Sequence, residues 1–153
     1  MLKETTMQLQ AQQMIADSVL KNTQLLIEAL KDNYRQYSIR GHQRSVANYD
    51  YTYDGSPSVQ SQYHQQKIDE LKNGICPIAY IIESGKKYHK VIFVDGGGHR
   101  SVHCFIDKNT GEVYKSATWK SPAKGVRYDL RLIKDREYLL ENADWSGSYL
   151  YAR

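Results

Sequence analysis

The run PIAYIIESGKKYHKVIFVDGGG, residues 77 to 98, decides the fold because the apolar period of the chain changes there. Residues 78 to 83 and 87 to 95 are rich in β-branched and aromatic side chains, and Ser84-Gly85 between them supplies a turn. The triple glycine at 96 to 98 closes the second run and reads as a wide hairpin turn, since it lacks the frame of a phosphate-binding glycine loop and a strand follows it. Arg100 to Asp107 and Gly111 to Lys115 then make a second hairpin. Its connector, D-K-N-T-G, offers an Asp that can bond its own backbone and a Gly that can take positive φ. A four-stranded antiparallel meander follows.

Outward from the sheet, the period becomes helical. Between Met7 and Gln36, Ile15, Val19, Leu26, Leu30, Tyr34 and Tyr37 recur at three- and four-residue steps, with a polar gap at Asn22 and Thr23. Leu20, Leu25 and Ile27 widen the apolar stripe, which suits packing on the sheet or on a second copy. Residues 38 to 56 lack that period, and the alternation of Tyr49, Tyr51 and Tyr53 predicts a loop with a short strand. Ser56-Pro57 reads as the cap and first turn of a second helix, carrying Val59, Tyr63, Ile68 and Leu71 and stopping at Asn73-Gly74. Residues 116 to 126 read as an ordered loop with Pro122 and Gly125. Asp129 opens a short helix to about Asn142, and the terminal SGSYLYAR adds a last strand or strap. The expected class is α+β: one domain over 1–153, with a long helix at 1–37, the sheet and a basic loop at 75–128, and a helix and strap at 129–153.

Composition narrows the function classes. A chain of 153 residues with 41% apolar and 25% charged residues is long enough for one core without metal or disulfide support. Cys76 and Cys104 form no CxxC pair, no secretory pattern opens the chain and no run approaches a membrane span, so a reduced, cytoplasmic setting without membrane contact is expected. Thirteen Tyr against two Phe favour rings with a polar handle, more than a core this size can easily hide. Positive charge is clustered: residues 86 to 136 carry 12 Lys+Arg against 5 Asp+Glu, leaving 9 against 12 elsewhere. That pattern is an electrostatic footprint for an anionic partner.

Within HRSVHCFIDKNTGEVYKSATWKSPAKGVRY, residues 99 to 128, cations and flat rings alternate. Lys115, Lys120, Lys124 and Arg127 occur with no acid among them, interleaved with the rings of Tyr114, Trp119 and Tyr128, while Arg100 and Lys90 lie on the neighbouring strands; all of these but Tyr114 are the candidate binding residues. Single-stranded DNA or RNA calls for this combination, because cations follow phosphates and rings stack on unpaired bases. The plain alternative is that Trp119 anchors the loop and the lysines only solvate it. Binding without sequence preference, no cofactor and no catalysis is the expectation. A competing reading is a protein-interaction module that docks through its tyrosines and the apolar face of the first helix.

The histidines and cysteine invite chemistry but are poorly placed for it. On a regular strand His99 and His103 share a face about 13 Å apart, too far to ligate one ion without a bend. Adjacent residues point to opposite faces, so His103 is not expected to activate Cys104, which reads as a buried structural thiol.

The run from Val102 to Leu130, VHCFIDKNTGEVYKSATWKSPAKGVRYDL, together with DWSGSYLY at 144 to 151, resembles small proteins of tailed bacteriophages. Among these it is most similar to early proteins of N4-like phages that bind single-stranded DNA around replication and transcription. The resemblance covers about the last third of the chain. It implies a phage-encoded protein of the host cytoplasm, a homo-oligomer without cofactor, with a host or phage polymerase component as a further partner. On the docking alternative the partner is a host enzyme.

Overall fold

The computed structural model describes residues 2–48, 52 and 54–151. Helix α1 spans Leu2–Asn48, α2 spans Val59–Lys72 and α3 spans Ile133–Asn142. The strands are β1 (Ala79–Ser84), β2 (Tyr88–Val94), β3 (Arg100–Asp107), β4 (Glu112–Lys115) and β5 (Tyr128–Asp129), and a 3-10 turn covers Ser148–Leu150. The class is α+β, and the sheet is an antiparallel meander in the order β1-β2-β3-β4-β5. It has five strands rather than four. The fifth, where Tyr128 pairs Val113 and Asp129 pairs Glu112, is too short to leave a period in the sequence.

One face of the sheet carries the core. Tyr80, Val91, Cys104, Ile106 and Val113 pack with Val19, Leu26, Ile27 and Leu30 of α1, Leu139 of α3 and Leu150 of the C-terminal strap. The polar gap in α1 proves to lie inside this stripe. Thr23 is fully buried, and its hydroxyl donates to the Val19 carbonyl at 2.8 Å, so a polar residue enters the core with its proton satisfied. Tyr80 is the opposite case: its hydroxyl is buried with no partner among the described residues. Tyr80→Phe is therefore expected to raise stability by up to about 1 kcal/mol, read from the urea midpoint, because an orphan donor is removed and the ring retained.

Helix α1 runs twelve residues past the expected end at Gln36, and residues 38–48 are helix rather than loop. Ile39 and Val46 sit seven residues apart and pack on Ile68 and Leu71 of α2, forming a second small core. Sparse anchors separated by Gly41 and charged residues hid the period. The expected strand at Tyr49, Tyr51 and Tyr53 lies outside the described residues. The cap of α2 is Ser58 rather than Ser56: its Oγ accepts from the Ser61 N–H at 3.0 Å. Val59 and Tyr63 face solvent, while Ile68 and Leu71 are buried. The expected stop holds, with Asn73 as C-cap and Gly74 at φ +85°. Asp129 belongs to β5 and accepts from the Arg131 N–H, so α3 begins later, at Ile133.

Both expected turns are built as the residues suggest. Asp107 Oδ1 accepts from the N–H groups of Asn109 and Thr110, and Gly111 takes φ +78°. Asp95 Oδ1 accepts from the N–H groups of Gly97 and His99.

Candidate functional site

The sheet's second face points away from α1, and cross-strand register decides what gathers on it. Lys90 lies opposite Phe105, and Phe105 opposite Tyr114. Tyr88 packs edge-on against both rings. Tyr114 donates to Glu112, and burial, reinforced by that carboxylate, pushes its phenol up to about 12.

Over this face folds the loop 116–127. A bridge between Ser116 and Pro122 closes its base, and the Thr118 hydroxyl accepts from the N–H groups of Lys120 and Ser121. Trp119, near its tip, thereby comes back onto the sheet. Trp119 is 42% exposed, with the Lys90 ammonium 4.7 Å from the ring centroid and the Arg100 guanidinium 5.8 Å from it. Lys90 also lies 5.8 Å from the centroid of Phe105, which is itself buried. One ammonium thus bridges an inner and an outer ring. Glu83 of β1 approaches both cations, at 3.8 Å from Lys90 and 3.9 Å from Arg100. Beside this cluster a depression of about 240 Å³ is lined by Lys86, Tyr88, Lys90, Phe105 and Lys120 together with Glu83.

A β-bulge makes the convergence possible. Val91 pairs Cys104, but the next residue, Ile92, pairs Val102, so His103 is an extra residue in β3. Past that point side chains exchange faces. Arg100, which unbroken alternation would direct to the core side, joins Lys90 and Trp119 outside. His103 joins Cys104 on the core side, which overturns the expectation that the two point oppositely. It also separates the histidines: His103 is buried, whereas His99 is exposed and pairs with Asp95. Cys104 is fully buried, and desolvation pushes its thiol up to about 12, so bringing it to His103's side does not make it a nucleophile. Among the described residues, no three His, Cys, Asp or Glu side chains group as metal ligands, and no helix is long and apolar enough to cross a membrane.

Of the eight residues singled out in the sequence, Lys90, Arg100, Trp119 and Lys120 meet on the outer face. The other four go elsewhere. Tyr128 is 3% exposed and donates its hydroxyl to the Tyr149 carbonyl, so no base can stack on it. Arg127 is a clasp: Nε donates to the Leu150 carbonyl at 2.7 Å and an outer nitrogen to those of Lys124 and Gly125. Lys115 shares the register of Cys104 and leads into a cleft beyond the core. Lys124 is exposed where the loop returns to the sheet. Tyr114, read as one of the interleaved rings, lies on this face too; Tyr88, Phe105 and Glu83 were not singled out, although placing Lys90 opposite Phe105 in the meander would have found the first two.

A family model described as a family of unknown function, DUF7717, matches residues 2–152. The chain belongs to this family. The match runs from the first turn of α1 through the strap, so the DUF7717 unit includes both the outer face and the helices behind it. Neither the curated proteins nor the solved structures contain a match to the chain.

Proposed function

We propose that the outer face of the sheet binds single-stranded nucleic acid, DNA in the first instance, without sequence preference and without catalysis. The observation that carries this reading is the half-exposed Trp119 indole flanked by two cations, Lys90 and Arg100. An exposed flat ring offers a stacking surface that any base can use, and the cations beside it meet the phosphates. Lys86 and Lys120 continue the positive charge along the depression. Glu83 is the local counterweight, which an arriving phosphate displaces from Lys90 and Arg100. The resemblance to phage early proteins points to the same ligand, and to a role beside replication or transcription in the host cytoplasm.

Fluorescence anisotropy with an unstructured oligodeoxynucleotide tests this. Binding is expected at low salt and weakens steeply as salt rises, with a slope of about −0.7 per phosphate contacted. Trp119→Ala is expected to cost about 1–3 kcal/mol of binding through the lost stack. Charge reversal at Lys90 and Lys120 should weaken binding further while circular dichroism stays unchanged. An oligonucleotide that remains unbound at low salt removes the proposal. A host protein retained after nuclease treatment and in high salt would favour the docking alternative.

A further inference from the structure

On the other side of the sheet, a cleft of about 390 Å³ opens between the ends of β2, β3 and β4 and the C-terminal strap. The outer-face reading makes no use of it. Lys115, His103, Ser101 and Ser116 line it, with Trp145 and Tyr151 as its flat walls. The bulge at His103 brings Ser101 opposite Phe93 on this side, and Phe93 also lines the cleft.

Within the cleft, His103 has one nitrogen to spare. Its Nε2 lies 2.7 Å from the Tyr149 hydroxyl. That hydroxyl has no other partner among the described residues, so the economical arrangement has Tyr149 donating to Nε2. The imidazole proton then resides on Nδ1. Burial lowers the basicity of His103, consistent with a neutral ring at pH 7, and holds the Tyr149 phenol in its protonated form. Nδ1 meets no acceptor among the described residues. It faces Gly147, where a Cβ would stand 3.9 Å from Nδ1 and 3.7 Å from Cε1. Gly147, at φ +82°, leaves this ring edge uncovered. Nearby, the Lys115 ammonium rides 5.0 Å from the centroid of Tyr151, and its one acceptor among the described residues is the Ser116 carbonyl, 3.5 Å away.

We propose that this cleft binds a phosphorylated ligand bearing a flat ring, of the nucleoside monophosphate class. Lys115 and the Nδ1–H of His103 receive the phosphate, the serine hydroxyls complete its shell, and the ring lies against Tyr151 and Trp145. A phosphate monoester suits the donor set, since one ammonium, one neutral N–H and several hydroxyls answer an oxyanion with many acceptor sites. The volume falls in the range of small-ligand pockets, roughly 300–1,000 Å³. The proposal does not depend on nucleic acid binding at the outer face, because the two sites share no side chain.

Trp145 provides a built-in reporter. In the full chain carrying Trp119→Phe, Trp145 is the remaining indole. Titration with uridine or adenosine 5′-monophosphate is expected to change its fluorescence saturably, with inorganic phosphate competing. Lys115→Met, which keeps the stem and removes the charge, should weaken binding about tenfold or more. Amide shifts in the wild-type NMR spectrum should concentrate at Ser116, Ser146 and Gly147, which also reports on the site should a variant fold poorly. No fluorescence or shift change at millimolar monophosphate overturns the proposal. So does an affinity untouched by Lys115→Met in a folded variant, or a nucleoside that binds as tightly as its monophosphate.

Discussion

Leu30→Ala is expected to destabilise the fold by about 2–5 kcal/mol, measured as a fall in the urea midpoint at unchanged slope. Leu30 is fully buried on the face of α1 that covers the sheet, alongside Leu26 and across from Val91, Ile106 and Val113. Truncation there loses the transfer energy of the side chain and leaves a hole between two rigid layers, which relax only in part. Met14→Ala on the same helix supplies the contrast. Met14 is 73% exposed, so its loss should stay within about 0.5 kcal/mol. A loss below about 1 kcal/mol for Leu30→Ala would mean that α1 is not seated on the sheet.

Acidification should act with comparable force through His103. Burial lowers its imidazole from the ordinary 6.5 to about 4, against a smaller opposing pull from Asp144. The unfolded chain takes up this proton at a higher pH than the folded one. The stability it represents is therefore complete above pH 6.5, declines as pH falls, and is gone below about pH 4. The displacement corresponds to about 3 kcal/mol, at roughly 1.4 kcal/mol per pH unit. His42 and His89 are lowered by burial too and add to the same window. Urea unfolding at a series of pH values should show the decline. His103→Gln, whose amide can still accept from Tyr149, should flatten it, and a profile equally steep in that variant would assign the acid sensitivity elsewhere.

The helix and meander were legible because buried faces impose a period: 3.6 through Val19, Leu26 and Leu30, and 2 along β1 and β2. What stayed hidden has no period. β5 is two residues long, and the continuation of α1 rests on Ile39 and Val46 with a glycine between them. At the candidate site, Trp119, Lys120, Lys90 and Arg100 could be chosen by residue type. Residue type could not exclude Tyr128 or Arg127, since a phenol that stacks on a base and a phenol that bonds a buried carbonyl are the same side chain. Only the strap, arriving from residues 149 and 150, separates those roles. The number of tyrosines has a similar answer: Tyr34 and Tyr37 pack around Trp145, and Tyr128 and Tyr149 around each other, so much of the aromatic excess ties the strap to the body.

The extra residue at position 103 has a consequence for how this chain can vary. Deleting one amino acid there would leave a sheet still able to close its ladder, with every hydrophobic residue from 104 onward in its place. Because Val102 would then follow Cys104 as Ile92 follows Val91, Arg100 and Ser101 would keep their faces, and only the imidazole with its bond to Tyr149 would be withdrawn. One in-frame codon deletion would thus spare the outer cluster of Lys90, Arg100 and Trp119 while stripping the strap-side cleft of its histidine. In that sense the two faces can vary separately: a change of length at this one position is absorbed by the bulge, with no change of parity along the strand.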